Sequence, residues 1–252
     1  MRGLVRSLFS SIGSKTIVAL TGLALTAFVI LHMLGNLQIY LGREVINAYG
    51  AFLQGSVELL WPMRITLLTV FVIHVAFAVR LWFANRAARP DRYAVSKTMQ
   101  ATPGSRTMLI SGLVLLTFIA YHLAHFTLGL TDPKAYDQEE VMQPAVVGTV
   151  PGTSQPVTLD EKKRHDVYNM MVKGFQWPGV SFLYILCMIF LGLHLSHGVP
   201  SMLQTLGLNN QSYAATLRKV GVGVAILVVL GNVSIPLSVL LGLLRPVTEA
   251  TP

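Results

Sequence analysis

The sequence predicts an all-α integral membrane protein, a single domain over residues 1–252 with five transmembrane helices, four forming a bundle and one peripheral. Three observations carry this. The chain is 53% hydrophobic and 12% charged with a mean hydropathy of +0.59, outside the range of an ordinary soluble domain. Charge-poor apolar stretches of roughly 20 residues or more recur along it, each long enough to cross a ~30 Å hydrocarbon core at ~1.5 Å per helical residue. The basic residues behind the net charge of +8 gather at the ends of these stretches, which fits membrane orientation and excludes a nucleic-acid-binding face.

The elements follow in order. Met1 to Arg6 is a basic start of the kind that opens a signal peptide, but the apolar run from Ile17 to Tyr40 is too long for a signal core and no cleavage site follows. It is therefore taken as the first span, residues 14–40, after a short amphipathic lead containing Leu8, Phe9 and Ile12. A short connection with Arg43, Glu44 and Glu58 leads to the second span, residues 61–84, with Trp61 at the interface and Pro62 in the first turn. The segment from Asn85 to Arg106 sets Arg86, Arg89, Arg92, Lys97 and Arg106 against Asp91 alone. The third span covers residues 106–130, and a mildly acidic, mostly irregular loop fills residues 131–176. The fourth and fifth spans cover 177–206 and 214–244, separated by the polar run Asn209-Asn210-Gln211-Ser212. The positive-inside rule then places the N-terminus and the basic loop in the cytoplasm and the C-terminus outside. Cys187, the single cysteine, reads as a small apolar core residue, and one cysteine makes neither an intrachain disulfide nor an iron–sulfur site.

Ionisable side chains inside a span are costly, so the histidines there call for a function. Six of the seven lie in spans: His32, His74, His122, His125, His194 and His197. Their depths group them. His32 and His122 lie about 16–17 helical residues from the cytoplasmic end, ~25 Å in. His74 and His194, on helices running the other way, lie ~15–18 Å from that end. Two histidine pairs at two depths, each pair from two helices of one direction, is what two stacked bis-histidine haem b groups require. Gly22 and Gly112, each ten residues before a candidate ligand, offer bare backbone near the depth of the inner pair. Residues three apart share a face, so spacing alone does not choose between His122 and His125 or between His194 and His197. The second histidine of each pair is a candidate contact for a propionate or a quinone. His165, in the polar loop, reads as a solvated surface residue.

At these residues the chain resembles the cytochrome b membrane-anchor subunit of succinate:quinone oxidoreductase or fumarate reductase (complex II), of the single-subunit, five-helix, di-haem kind. The resemblance covers nearly the whole chain and rests on Ser11-Ile12-Gly13-Ser14-Lys15, on His32-Met33-Leu34-Gly35-Asn36, on His74 about 42 residues later, and on the Tyr121-His122 and Leu193-His194 segments. It implies His32 with His122 as axial ligands of the distal haem and His74 with His194 as those of the proximal haem. It further implies a membrane quinone as substrate, menaquinone in preference to ubiquinone, and partners that hold the remaining cofactors: a flavoprotein subunit with FAD and an iron–sulfur subunit. Catalysis of succinate chemistry would then belong to the partners, this chain supplying the quinone-reactive part in the bacterial cytoplasmic membrane. Candidate propionate or quinone contacts are His125, His197, Lys15, Arg80, Gln54 and Glu58. Some fumarate reductases of this kind use a glutamate after the first helix; Gln54 stands at that spacing, a departure from the pattern, with Glu58 close by.

Two rival readings share the histidines. One is the cytochrome b of another respiratory complex, a hydrogenase or formate dehydrogenase. The other is a histidine-lined proton or metal transporter, against which stand the absence of a carboxylate inside any expected span, of an inverted repeat and of a Glu-x-x-His motif.

Overall fold

The structure is a computed structural model that describes residues 7–88, 103–142, 146–149, 156–158, 162–208 and 212–248. Helix α1 spans Ser11–Asn36, its N-terminus capped by Ser10, whose hydroxyl accepts from the Gly13 N–H at 3.0 Å. Threonine is admitted to the apolar interior because it bonds back to its own helix: Thr16, Thr21 and Thr26 donate to the carbonyls of Ile12, Ile17 and Gly22 at 3.1, 2.7 and 2.8 Å. A 3₁₀ turn, Leu37–Leu41, closes the span, and Gly42 at φ +106° redirects the chain as only glycine does readily.

The connection that follows is not the short link expected from sequence. It is a helix, α2, Arg43–Gly55, with Ile46 and Asn47 buried and Val45, Tyr49 and Phe52 exposed. Helix α3, Val57–Ala87, begins a turn earlier than predicted, so Pro62 lies in its second turn. Helix α4 is Pro103–Phe126, and the short α5, Pro133–Tyr136, follows with Asp132 as its cap. The described residues of the 131–176 segment hold more regular structure than expected. Strand β1, Glu139–Met142, and strand β4, Lys162–His165, pair antiparallel with Glu139 opposite His165. Strands β2, Val146–Thr149, and β3, Pro156–Thr158, form a second antiparallel pair. Helix α6, Val167–Gln176, completes the segment and buries most of its length, including Tyr168, Val172 and Phe175. Helix α7, Pro178–Thr205, starts on Trp177-Pro178, and α8 spans Ala214–Leu240.

Five helical segments, Ser11–Leu41, Val57–Ala87, Gly104–Phe126, Pro178–Thr205 and Ala214–Leu240, are long and apolar enough to cross a membrane. The chain is an all-α, multi-pass membrane protein. Exposed Leu, Ile, Val and Phe side chains along these helices are what a lipid solvent requires. Helix α1 packs on α3 and α7, and α4 on α7, whereas neither α1 with α4 nor α3 with α7 is a packed pair. The four helices therefore stand at the corners of a ring, with α1 and α4 on one diagonal and α3 and α7 on the other. The α3–α4 side is open, and among the described residues α3 buries no side chain. Helix α8 lies outside this ring against α7 and α1.

One end of the bundle is capped. Asp166, whose side chain is 1% exposed, receives Arg43 at 2.7 Å, Asn47 at 2.9 Å and the Asn169 backbone N–H at 3.0 Å. Asn47 and Arg164 also donate to Glu140, at 2.8 and 2.7 Å, and Arg164 pairs with Glu44. Asn169 ties in the C-terminal tail through reciprocal bonds to Val247, both at 2.8 Å. Burial alone would push the Asp166 carboxyl up, but the bonds from Arg43, Asn169 and Asn47 prevail and hold it below the usual range. Glu140 is lowered in the same way, burial being outweighed by Arg164, Asn47 and Arg43. His165 is not the solvated residue expected: its ring lies against Tyr136 and it is half-buried.

Candidate functional site

The four histidines meet in pairs drawn from the two diagonals. Near the capped end, the rings of His32 of α1 and His122 of α4 meet at an interplanar angle of 87° with centroids 5.8 Å apart. Two imidazoles bonded to opposite sides of one metal ion at ~2 Å per bond have centroids roughly 6 Å apart. Toward the open end, His74 of α3 lies against Gly22 of α1 and His194 of α7 against Gly112 of α4, each glycine ten residues before an outer histidine. Since the ring of His74 touches Gly22, ten residues before His32, the two pairs are separated by ~15 Å along the bundle, half the ~30 Å hydrocarbon core.

The inner pair is held by two matching cradles. A Cβ at Gly22 would lie 3.4 Å from His74 Cε1, and one at Gly112 would lie 3.8 Å from His194 Cε1, so each imidazole rests on bare backbone of the neighbouring helix. Beside each glycine stands a hydroxyl. Thr21 Oγ1 is 3.0 Å from His74 Nδ1 and Ser111 Oγ is 3.2 Å from His194 Nδ1. Each hydroxyl spends its one proton on its own helix, Thr21 on the Ile17 carbonyl at 2.7 Å and Ser111 on that of Met108 at 3.1 Å. With its proton so placed, each hydroxyl is an acceptor for an imidazole that carries its own proton on Nδ1 and a lone pair on Nε2.

The outer pair is oriented by aromatic rings and by unlike polar partners. Phe28 stacks on His32 at 5.4 Å and Phe118 lies tilted against His122 at 5.8 Å, each from one turn earlier. His32 Nε2 is 3.2 Å from Asn36 Nδ2 and accepts from that amide, a bond that a metal at this nitrogen would replace. His122 Nδ1 lies 3.4 Å from Tyr184 Oη.

These contacts follow a sequence repeat. The pattern hydroxyl-Gly-Leu-x-Leu-x-x-Phe-x-x-x-His runs from Thr21 to His32 and again from Ser111 to His122. Gly13-Ser14-Lys15-Thr16 precedes the first copy and Gly104-Ser105-Arg106-Thr107 the second. Both helices run the same way, so this is a parallel repeat, unlike the inverted repeats of many transporters. Sequence reasoning singles out the two glycines and misses Thr21, Ser111, Phe28 and Phe118; the repeat is the signal that identifies them.

The remaining candidates scatter. His125 is 3% exposed with its Nδ1 3.1 Å from Tyr184 Oη. His197 packs near Gly104 at the start of α4. Lys15 is exposed in the first turns of α1, and Arg80 donates to the Phe9 carbonyl while covering the Phe9 ring at 5.1 Å. Gln54 is exposed in the last turn of α2. Glu58 lines an open groove of about 350 Å³ between α1 and α3, together with Phe28 and Thr66. A smaller cavity of about 170 Å³ reaches His32 between α1, α2 and α6, past Asn36 and Tyr49. Arg89, Arg92 and Lys97 of the basic loop lie outside the described residues.

The donor set fits haem b. The outer pair brings two imidazoles to about the separation that bis-histidine ligation calls for, and the glycine cradles seat the inner two. No protein-family model, curated protein or solved structure matches the chain.

Proposed function

We propose that this chain is a di-haem membrane cytochrome b, the anchor and electron-transfer subunit of a succinate:quinone oxidoreductase or fumarate reductase. The observation that carries the reading is the repeated cradle: two hydroxyl–glycine steps, on diagonal helices, that set a hydroxyl at Nδ1 of His74 and of His194. Such an arrangement prepares nitrogen lone pairs for a metal rather than for proton relay along the span. When bound, haem b supplies a one-electron couple at each centre. The residues of the chain bind, orient and insulate: His32 and His122 hold the outer centre, His74 and His194 the inner one, and Phe28 and Phe118 fix the outer rings.

The quinone end of the reading is supported by the groove at Glu58. It is apolar, borders lipid and sets one carboxylate near Phe28, whose ring stacks on His32. A hydroquinone oxidised there needs a proton acceptor at the site, which Glu58 supplies and the exposed Gln54 does not. The resemblance extends the reading to a flavoprotein and an iron–sulfur partner, docked on the cytoplasmic face of a bacterial inner membrane beside the inner pair, with the capped end outside.

The test is a dithionite-reduced minus oxidised spectrum of the purified, membrane-inserted protein, with haem counted as the pyridine haemochrome. Two haems b per chain are expected, one lost on replacing His32 or His122 by Ala and the other on replacing His74 or His194. A folded, inserted chain without haem would overturn the reading.

A further inference from the structure

The repeat breaks beside the outer pair. Three residues past His32 stands Gly35; three past His122 stands His125, buried to 3% exposure. Facing it from α7 is Tyr184, 6% exposed, with its Oη 3.1 Å from His125 Nδ1 and 3.4 Å from His122 Nδ1. The phenol ring is clamped edge-on by Phe118 at 5.0 Å and Phe175 at 4.9 Å, so its oxygen cannot swing away. His32 has only the amide of Asn36, and the inner ligands have aliphatic hydroxyls.

We propose that Tyr184, backed by His125, is the positioning residue for His122, holding its ring with Nδ1 protonated and Nε2 turned to the iron of the outer centre. The proposal rests on the haem reading above. The proton count gives the chain of bonds one direction. A His122 that ligates through Nε2 carries its proton on Nδ1 and donates it to the Tyr184 oxygen. The phenol has one proton of its own, and this goes to His125 Nδ1 across the shorter contact. His125 then keeps its proton on Nε2. A phenol that has already donated is the better acceptor, because hydrogen bonds in a chain polarise one another. His122 is thereby made a stronger donor to the metal than an imidazole without such a partner, which favours the oxidised iron.

The experiment is a spectroelectrochemical titration of the holoprotein, with low-temperature electron paramagnetic resonance of the ferric form, in the wild type and in Tyr184→Phe. The outer wave is identified as the one absent from His122→Ala. Tyr184→Phe keeps the ring and its packing; it is expected to retain two haems, to move the outer wave to higher potential and its resonance signal with it, and to leave the inner wave in place. His125→Leu is expected to move the same wave in the same direction by less, and His125→Gln, which keeps an acceptor, to restore it. Selective loss of the outer haem in Tyr184→Phe would support the proposal as well, His125→Leu then reporting the shift. Two haems with an unmoved outer wave and signal would overturn it while leaving the haem reading intact. A wild-type chain without haem would overturn both.

Discussion

The two histidine pairs occupy the same bundle but are built by opposite rules. At the inner pair the two sides repeat each other: a hydroxyl, a glycine and an imidazole on α1 and α3, and the same three on α4 and α7. At the outer pair only the phenylalanines one turn before each histidine repeat. Beyond them, the α4 side is filled by His125, Tyr184 and Phe175, while the α1 side has Gly35, Tyr49 and a cavity. The ends differ too, since a buried ionic network seals the outer end and has no counterpart at the inner one among the described residues. A repeated helix pair supplies two like centres, and the additions at one end make one of them unlike the other.

The largest effect expected from breaking this comparison comes at the glycines. A Cβ at Gly22 or Gly112 would sit in ordinary contact with the facing imidazole, at 3.4 and 3.8 Å, but the branch of a leucine would occupy the volume of the ring itself. Gly22→Leu and Gly112→Leu are expected to lose the inner haem entirely and to keep the outer, halving the pyridine haemochrome yield per chain. Gly22→Ala and Gly112→Ala are expected to keep both. Unequal losses in the two leucine variants would show that the cradles are less alike than their contacts.

Much of the inner architecture is legible in the sequence alone. Hydropathy finds the five spans to within a few residues, because twenty apolar residues leave a helix as the only solution in lipid. Counting ~1.5 Å per residue sets His32 level with His122, and the structure brings those two rings together. Helices α2 and α6 are hidden from such a count. Their apolar faces are short and flanked by Arg43, Glu44 and Lys173, and the partners that bury them are remote: Asn47 of α2 meets Asp166, 119 residues away. Tyr184 is hidden for a related reason. It lies within an apolar run with no sequence relation to His122, and only the packing of α4 on α7 brings the two together.

Breaking the cap comes next in size. Asp166→Asn leaves the Arg43 guanidinium, 16% exposed, facing a neutral amide while still paired with Glu140 at 3.4 Å, and loss of a hydrogen bond to a charged group costs about 1.5–3 kcal/mol. Thermal unfolding and limited proteolysis in detergent should register the loss, with the inner haem wave unmoved. The pH dependence has a definite sign. Asp166 and Glu140 are held below their ordinary values of 3.8 and 4.5 in the folded protein. Their contribution is therefore complete above that range and is lost only as pH falls through the lowered values. The cap should hold steady from neutrality to about pH 5 and loosen below about pH 4; loosening between pH 7 and 6 would mean that a histidine governs it.

The smallest effect separates the two cradles from each other. Thr21→Val and Ser111→Ala each leave an imidazole Nδ1–H without its acceptor, and loss of such a supporting contact typically weakens metal-site affinity about 10–100-fold, or roughly 1.4–2.7 kcal/mol. Ser111 is fully buried at 0% exposure, so no water takes the place of its hydroxyl, whereas Thr21 is only half-buried. Ser111→Ala should accordingly fall at the upper end of that range and Thr21→Val at the lower, as read by haem-transfer titration of the inner centre, with Thr21→Ser close to wild type. The outer centre should be indifferent to all three. If Thr21→Val weakened the inner centre as much as Ser111→Ala, the hydroxyls would act through tautomer alone; if only Ser111→Ala did, desolvation of the freed N–H would be the larger share, and the two halves of the repeat would differ by what water can reach.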